Sequence, residues 1–316
     1  MSQRHYCILV MTGLFVPLSV QWAAAEKVGG DSPPLEAVDA EVFEAIARFY
    51  AYDKTLPPEP RVVEKIDGDS SIREKFIFRG VRGFLVPGYL ELPKERAAPA
   101  PLILLLHGWS GSKDSWWEDG GYISGGNMRK ALLGAGYAVL AVDAPTHGDR
   151  IAENDYALVN DLRENGQPTH RNYFTLEEIV VQSTRDYRRA LDFIESRDEI
   201  DSQRIGMIGY SMGGLQTFIL TAVEPRIRVS VACVVPSLAG QSTSIGPKDY
   251  ARGIADRPFL MLMGRTDTMC QQQHARQLLD LIPSTRKNLI LFDAGHKLPD
   301  RYVNDALTWF QEYLKP

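Results

Sequence analysis

The chain has 316 residues, 44% of them hydrophobic and 24% charged, with a formal net charge of −5. That is an ordinary globular composition, enough for one large α/β domain or two small ones. The acidic balance argues against nucleic acid as the main partner.

Residues 1–25 read as a secretory signal peptide. Arg4 and His5 precede an apolar run from Tyr6 to Val20, and Ala23-Ala24-Ala25 supplies small residues for cleavage before Glu26. An uncleaved membrane anchor is the alternative, but the run is short for a spanning helix and contains Gly13 and Pro17. Cys7 stands too early, without a small-residue box before it, for lipid attachment. The expected location is secreted or periplasmic, with no stable membrane span after cleavage. Cys233 and Cys270 then remain, either paired in an oxidising compartment or buried as thiols, which the apolar pattern around Cys233 favours.

Leu35 to Tyr52 carries helical spacing through Leu35, Val38, Val42, Ile46 and Phe49, and Pro57, Pro58 and Pro60 form a stiff link after it. Residues 26–69 are therefore expected to be a helical extension and linker. Glu74–Arg79 and Gly83–Leu92 resemble a hairpin, with a bend or bulge at Pro87-Gly88. Beyond them, apolar strands at 102–106, 138–142, 205–208, 229–235, 259–263 and 288–292 alternate with helical segments. The layout predicts one catalytic domain over 70–316: a mostly parallel sheet of about eight strands with helices on both faces. Ligands bind such sheets at the carboxyl ends of the strands.

Gly209-Tyr210-Ser211-Met212-Gly213-Gly214 lies between a strand and a helix, the layout of a nucleophile elbow. A serine hydroxyl needs a base, and the base needs an orienting acid. His296 follows the last strand, whereas His274 falls inside a helix and reads as a surface residue. Asp267 follows strand 259–263 as the acid, with Asp293 as its rival; Asp143 reads as an anchor for the loop of Pro145, His147 and Gly148. The amides of Trp109, in His107-Gly108-Trp109, and of Met212 are the expected oxyanion donors. His107 reads as structural. No cofactor is implied: there is no metal-cage spacing, and Gly206-x-x-Gly209 is not a dinucleotide fingerprint.

These motifs resemble the α/β-hydrolase fold, over roughly residues 70–316. His107-Gly108-Trp109, Asp143-Ala144-Pro145-Thr146-His147-Gly148, the lead Ile200–Gly206 into the elbow, Gly264-Arg265-Thr266-Asp267 and Ala294-Gly295-His296 are similar to the dienelactone hydrolase, acetyl-xylan esterase and prolyl-oligopeptidase branch. Ser211 stands where dienelactone hydrolases have cysteine, and the large propeller of prolyl oligopeptidases is missing. The resemblance implies a secreted serine carboxylesterase with the order Ser211, Asp267, His296, acting on a small-molecule or oligomeric ester. A peptidase or amidase using the same triad, and a non-catalytic protein keeping the fold, are the competing readings.

Tyr210, Trp116 and Trp117 are candidate substrate contacts, with Trp109 and Tyr122 beside them, although core packing of these rings is equally open. The polar segment Asp149–Phe174 is long enough to form a flap, or a surface loop. The connection Pro236–Pro258 is short, so a fairly open cleft is expected.

Overall fold

The computed structural model describes residues 34–96, 99–156, 174–239 and 243–316, all within a unit that begins at Pro34. The expected signal peptide and residues 157–173 of the expected flap lie outside them. Asp39 caps helix α1 (Ala40–Ala47) by accepting from the Val42 N–H at 2.8 Å, and a short 3-10 turn carries the chain to Tyr50. The expected linker then becomes strand β1 (Arg61–Asp67), antiparallel to β2 (Ser71–Arg79). All seven residues of β1 are exposed, so no alternation of burial marked it as a strand. Its pairing slips between Val62 and Glu64, a bulge of the kind that blunts a sheet edge.

β3 (Leu85–Pro93) pairs with β2 in unbroken register, with Gly88 opposite Phe76, so Pro87-Gly88 lies inside the strand and makes no bulge. Glycine is required there because the Phe76 ring occupies the space of a Cβ. The chain continues through β4 (Ala100–Leu106), α2 (Gly125–Gly134), β5 (Ala138–Val142), α3 (Arg150–Asn154) and α4 (Leu176–Ile194). β6 (Ile200–Tyr210), α5 (Met212–Val223), β7 (Ile227–Cys233), α6 (Pro247–Tyr250) and β8 (Phe259–Gly264) follow, then α7 (Gln272–Asp280), β9 (Lys287–Phe292) and α8 (Tyr302–Tyr313). α4 starts on a reciprocal cap, in which Thr175 accepts from the Glu178 N–H and Glu178 accepts from the Thr175 N–H.

The nine strands form one sheet in the order β1-β2-β3-β5-β4-β6-β7-β8-β9. β1 to β3 join antiparallel to one another and to β5, and every pair from β5 through β9 is parallel. Period-two alternation sorts the core into two layers. On β4, Ile103 and Leu105 pack with Met128, Leu132 and Phe310 from α2 and α8. Leu102, Leu104 and Leu106 pack on the other face with Tyr187, Leu191 and Ile194 of α4. Each such side chain contributes about 1.5–3 kcal/mol by leaving water, so the parallel strands form the rigid part of the molecule. Among the described residues, no helix is long and apolar enough to cross a membrane. Cys233 and Cys270 are both buried and unpaired.

Candidate active site

Ser211 alone makes the turn between β6 and α5, at φ 57° and ψ −113°. A non-glycine residue pays about 1–3 kcal/mol for such a conformation. The tightness is enforced by contact: a Cβ on Gly209 would strike the Gly213 carbonyl, and one on Gly213 would strike the Leu106 carbonyl. The Ser211 N–H donates to the Cys233 carbonyl at 3.0 Å, and its own carbonyl accepts from the Leu215 N–H at 2.9 Å. The hydroxyl thus sits at the N-terminus of α5, where the helix dipole favours negative charge.

His296 Nε2 lies 2.8 Å from Ser211 Oγ, and Nδ1 lies 2.9 Å from Asp267 Oδ2. With the Nδ1–H donating to Asp267, Nε2 is left to accept the serine proton. The Asp267 side chain is fully buried, and its other oxygen accepts from the Met269 N–H at 2.9 Å. Asp293 turns away: its side chain is 91% exposed and pairs with Arg265 at 2.9 Å. Backbone bonds stitch the acid and base loops together, from Thr266 N–H to the Ala294 carbonyl at 3.1 Å and from Arg265 N–H to the Phe292 carbonyl at 2.9 Å.

The turn after β4 is pressed against the elbow, since a Cβ on Gly108 would lie 3.3 Å from the Tyr210 carbonyl and 3.4 Å from Ser211 Cβ. Trp109 is the next residue of this turn, and Met212 opens α5. Behind the turn stand two buried histidines. The His107 Nδ1–H donates to the Gly108 carbonyl at 2.9 Å, and Nε2 accepts from the Ala144 N–H at 3.1 Å. A neutral ring uses both atoms fully, and burial pushes its pKa down to about 3. His147 instead faces two carbonyls, Pro145 at 2.7 Å and Trp109 at 2.6 Å, and burial lowers its pKa too.

Beneath these rings Lys113 is fully buried, with Nζ 3.0 Å from Asp143 and 2.8 Å from Asp149. Burial opposes its charge, but Asp143 and then Asp149 outweigh it and raise the lysine pKa. Asp143 also accepts from the Lys113 N–H at 2.9 Å and the Asp149 N–H at 3.0 Å, which fixes the 143–149 loop.

The expected substrate contacts do not gather at Ser211. Trp116 is fully buried in the layer containing Met128 and Leu132, where two helices close over β4 and β5. Trp117 donates from Nε1 to Glu91 at 2.6 Å and stacks edge-on against Tyr89. Tyr210 is 1% exposed and is bonded to the loop of the base. All three rings are therefore held by the frame, through packing or through hydrogen bonds to it. Tyr122, 54% exposed with its ring 6.4 Å from that of Tyr210, faces solvent beside the triad. His274, expected on the surface, is 7% exposed within α7. Sequence reasoning missed Lys113: besides its neighbour Asp114, its partners Asp143 and Asp149 lie thirty and more residues away and share no spacing with it. Among the described residues, no three His, Cys, Asp or Glu side chains converge as metal ligands.

Residues 103–303 match a family described as the alpha/beta hydrolase family. The chain is 30% identical over 209 residues to YtaP of Bacillus subtilis (strain 168), designated a hydrolase, spanning 58% of this chain and 66% of that one. It is 20% identical over 251 residues to the esterase YjfP of Escherichia coli (strain K12), spanning 70% and 92% of the two. Among solved structures, acetyl xylan esterase 1 from Thermoanaerobacterium sp. JW/SL YS485 superposes with a TM-score of 0.66 at 19% identity, over 88% of this chain and 95% of that one. At that identity the likeness is one of fold.

Proposed function

We propose, from the premise that the chain belongs to the alpha/beta hydrolase family, that it hydrolyses carboxylic esters through an acyl-enzyme on Ser211. The observation that carries this reading is the continuous relay Ser211 Oγ, His296 Nε2, His296 Nδ1, Asp267 Oδ2, with steps of 2.8 and 2.9 Å. Ser211 Oγ attacks the ester carbonyl as His296 takes its proton, and Asp267 stabilises the imidazolium without itself being protonated. The backbone N–H groups of Trp109 and Met212 receive the oxyanion. The close approach of the Gly108 turn to Ser211 supports the first, and the start of α5 supports the second. His296 then protonates the leaving alcohol, and water repeats the sequence to free the acid.

Esters are favoured over amides because YjfP is named an esterase and spans most of this chain. Secretion rests on residues 1–25 alone. The direct experiment is Ser211→Ala assayed on a short-chain aryl ester, where kcat is expected to fall about 10⁴-fold or more. Undiminished hydrolysis would overturn the reading, and faster turnover of a matched amide would make the protein an amidase.

A further inference from the structure

Tyr210 immediately precedes the nucleophile, yet its side chain belongs to the base. Its hydroxyl donates to the His296 carbonyl at 3.0 Å and accepts from the Leu298 N–H at 2.9 Å. The ring is buried edge-on among His296, Tyr302 and Tyr122, at centroid distances of 6.4, 6.1 and 6.4 Å. We propose that Tyr210 is a positioning residue, whose hydroxyl clips the base-bearing loop to the strand end that carries the nucleophile. This rests on the reading of Ser211, His296 and Asp267 as the catalytic relay.

The need for such a clip follows from how little else fixes the base. Asp267 holds one corner of the imidazole, and the Thr266–Ala294 bond holds the chain two residues upstream. Neither sets the backbone at 296–298. The hydroxyl takes both polar groups there at once, one as acceptor and one as donor, so the loop has a single satisfied position. Because Tyr210 and Ser211 are consecutive, that position is defined relative to the nucleophile itself. Burial raises the phenol's pKa, which favours the protonated hydroxyl that the clip requires.

Tyr210→Phe keeps the ring and deletes the clip. Leu298 is buried, so its freed N–H and the His296 carbonyl must shift to find partners. A displacement of that order at the base lowers kcat by about tenfold to a hundredfold, because proton transfer depends steeply on geometry. KM stays within about twofold, since the clip touches no substrate. The control is Tyr187→Phe, which removes a hydroxyl with the same pattern, donating to the Leu105 carbonyl at 2.8 Å and accepting from the Val142 N–H at 3.4 Å.

Both variants are to be compared with wild type for kcat, KM and melting temperature. Rates are normalised to the sites that a fluorophosphonate labels at completion, so that a partly folded preparation does not imitate a slow one. The proposal expects Tyr210→Phe to be slow in turnover and in fluorophosphonate labelling alike, while Tyr187→Phe turns over within about threefold of wild type. A Tyr210→Phe enzyme within about threefold of wild type, a matching loss in Tyr187→Phe, or a loss confined to KM overturns it. Retained activity in Ser211→Ala would instead remove the catalytic reading on which the clip depends.

Discussion

The two sides of the sheet's carboxyl edge are held by different forces. On the β4–β5 side, a fully buried ammonium sits among three carboxylates, 3.0 Å from Asp143, 2.8 Å from Asp149 and 3.4 Å from Asp114. On the β6–β9 side, the acid and base loops are joined mainly by backbone hydrogen bonds and by the Tyr210 hydroxyl, with the exposed Arg265–Asp293 pair at 2.9 Å and the buried carboxylate of Asp267 as the charged links. A largely neutral frame leaves Asp267 as the buried charge in contact with His296, where it is useful to an imidazolium. The charged cluster stands behind the oxyanion turn, where loss of one partner strands a buried ion. The β6–β9 side should therefore lose rate when cut, and the β4–β5 side should lose stability.

Asp267→Asn is the sharpest cut on the neutral side. It should lower kcat about 10⁴-fold, or roughly 5 kcal/mol of transition-state stabilisation, by permitting the wrong imidazole tautomer. Unfolding free energy should move by only about 1–2 kcal/mol, since the amide is isosteric. A large fall in chemical stability with little loss of rate would erase the contrast.

Asp143→Ala is the corresponding cut on the charged side. It removes the one fully buried carboxylate of the three and leaves Lys113 with the partly exposed Asp149 and Asp114, and should destabilise the fold by about 3–5 kcal/mol in urea titrations. Lys113→Met with Asp143→Leu, which removes both charges, should recover most of that. If the double variant is no better than the single one, the cluster is not acting through its unpaired charge.

The effect that appears only outside neutral pH is on acid stability. His107 has a pKa of about 3 when folded, against an ordinary value near 6.5, because burial disfavours the cation and Ala144 points an N–H at Nε2. With the folded pKa depressed, this contribution is present above pH about 6.5 and is lost as pH falls towards 3, by up to about 1.4 kcal/mol per pH unit. His107→Gln should flatten the difference in unfolding free energy across that window. An unchanged slope would mean that His107 is not the group that titrates.

Legibility from the sequence follows the range of the forces involved. Gly209-x-Ser211-x-Gly213 was readable because its five residues carry the tight turn themselves, although the contact that demands Gly213 comes from Leu106 on β4. Asp267 and His296 were readable as strand-end residues, and the fold brings them within hydrogen-bond reach of each other and of Ser211. β1 was not readable: Arg61-Val62-Val63-Glu64-Lys65-Ile66-Asp67 is exposed throughout and so carries no alternation. Trp116 and Trp117 are neighbours in sequence but enter different environments, one apolar and one beside Glu91. The role of Tyr210 depends on a carbonyl 86 residues further along, which no local pattern announces.

The unpaired state of Cys233 and Cys270 reaches beyond packing. Neither thiol closes a loop, and both are made poor nucleophiles by burial, which raises their pKa values. The carbonyl of Cys233 steadies Ser211, but its sulfur takes no part in that bond. The described fold therefore owes nothing to oxidation, and thiol reductants should leave the elbow as they find it. A fold built this way can form on either side of a redox boundary, because neither of its described thiols has to change state for it to close.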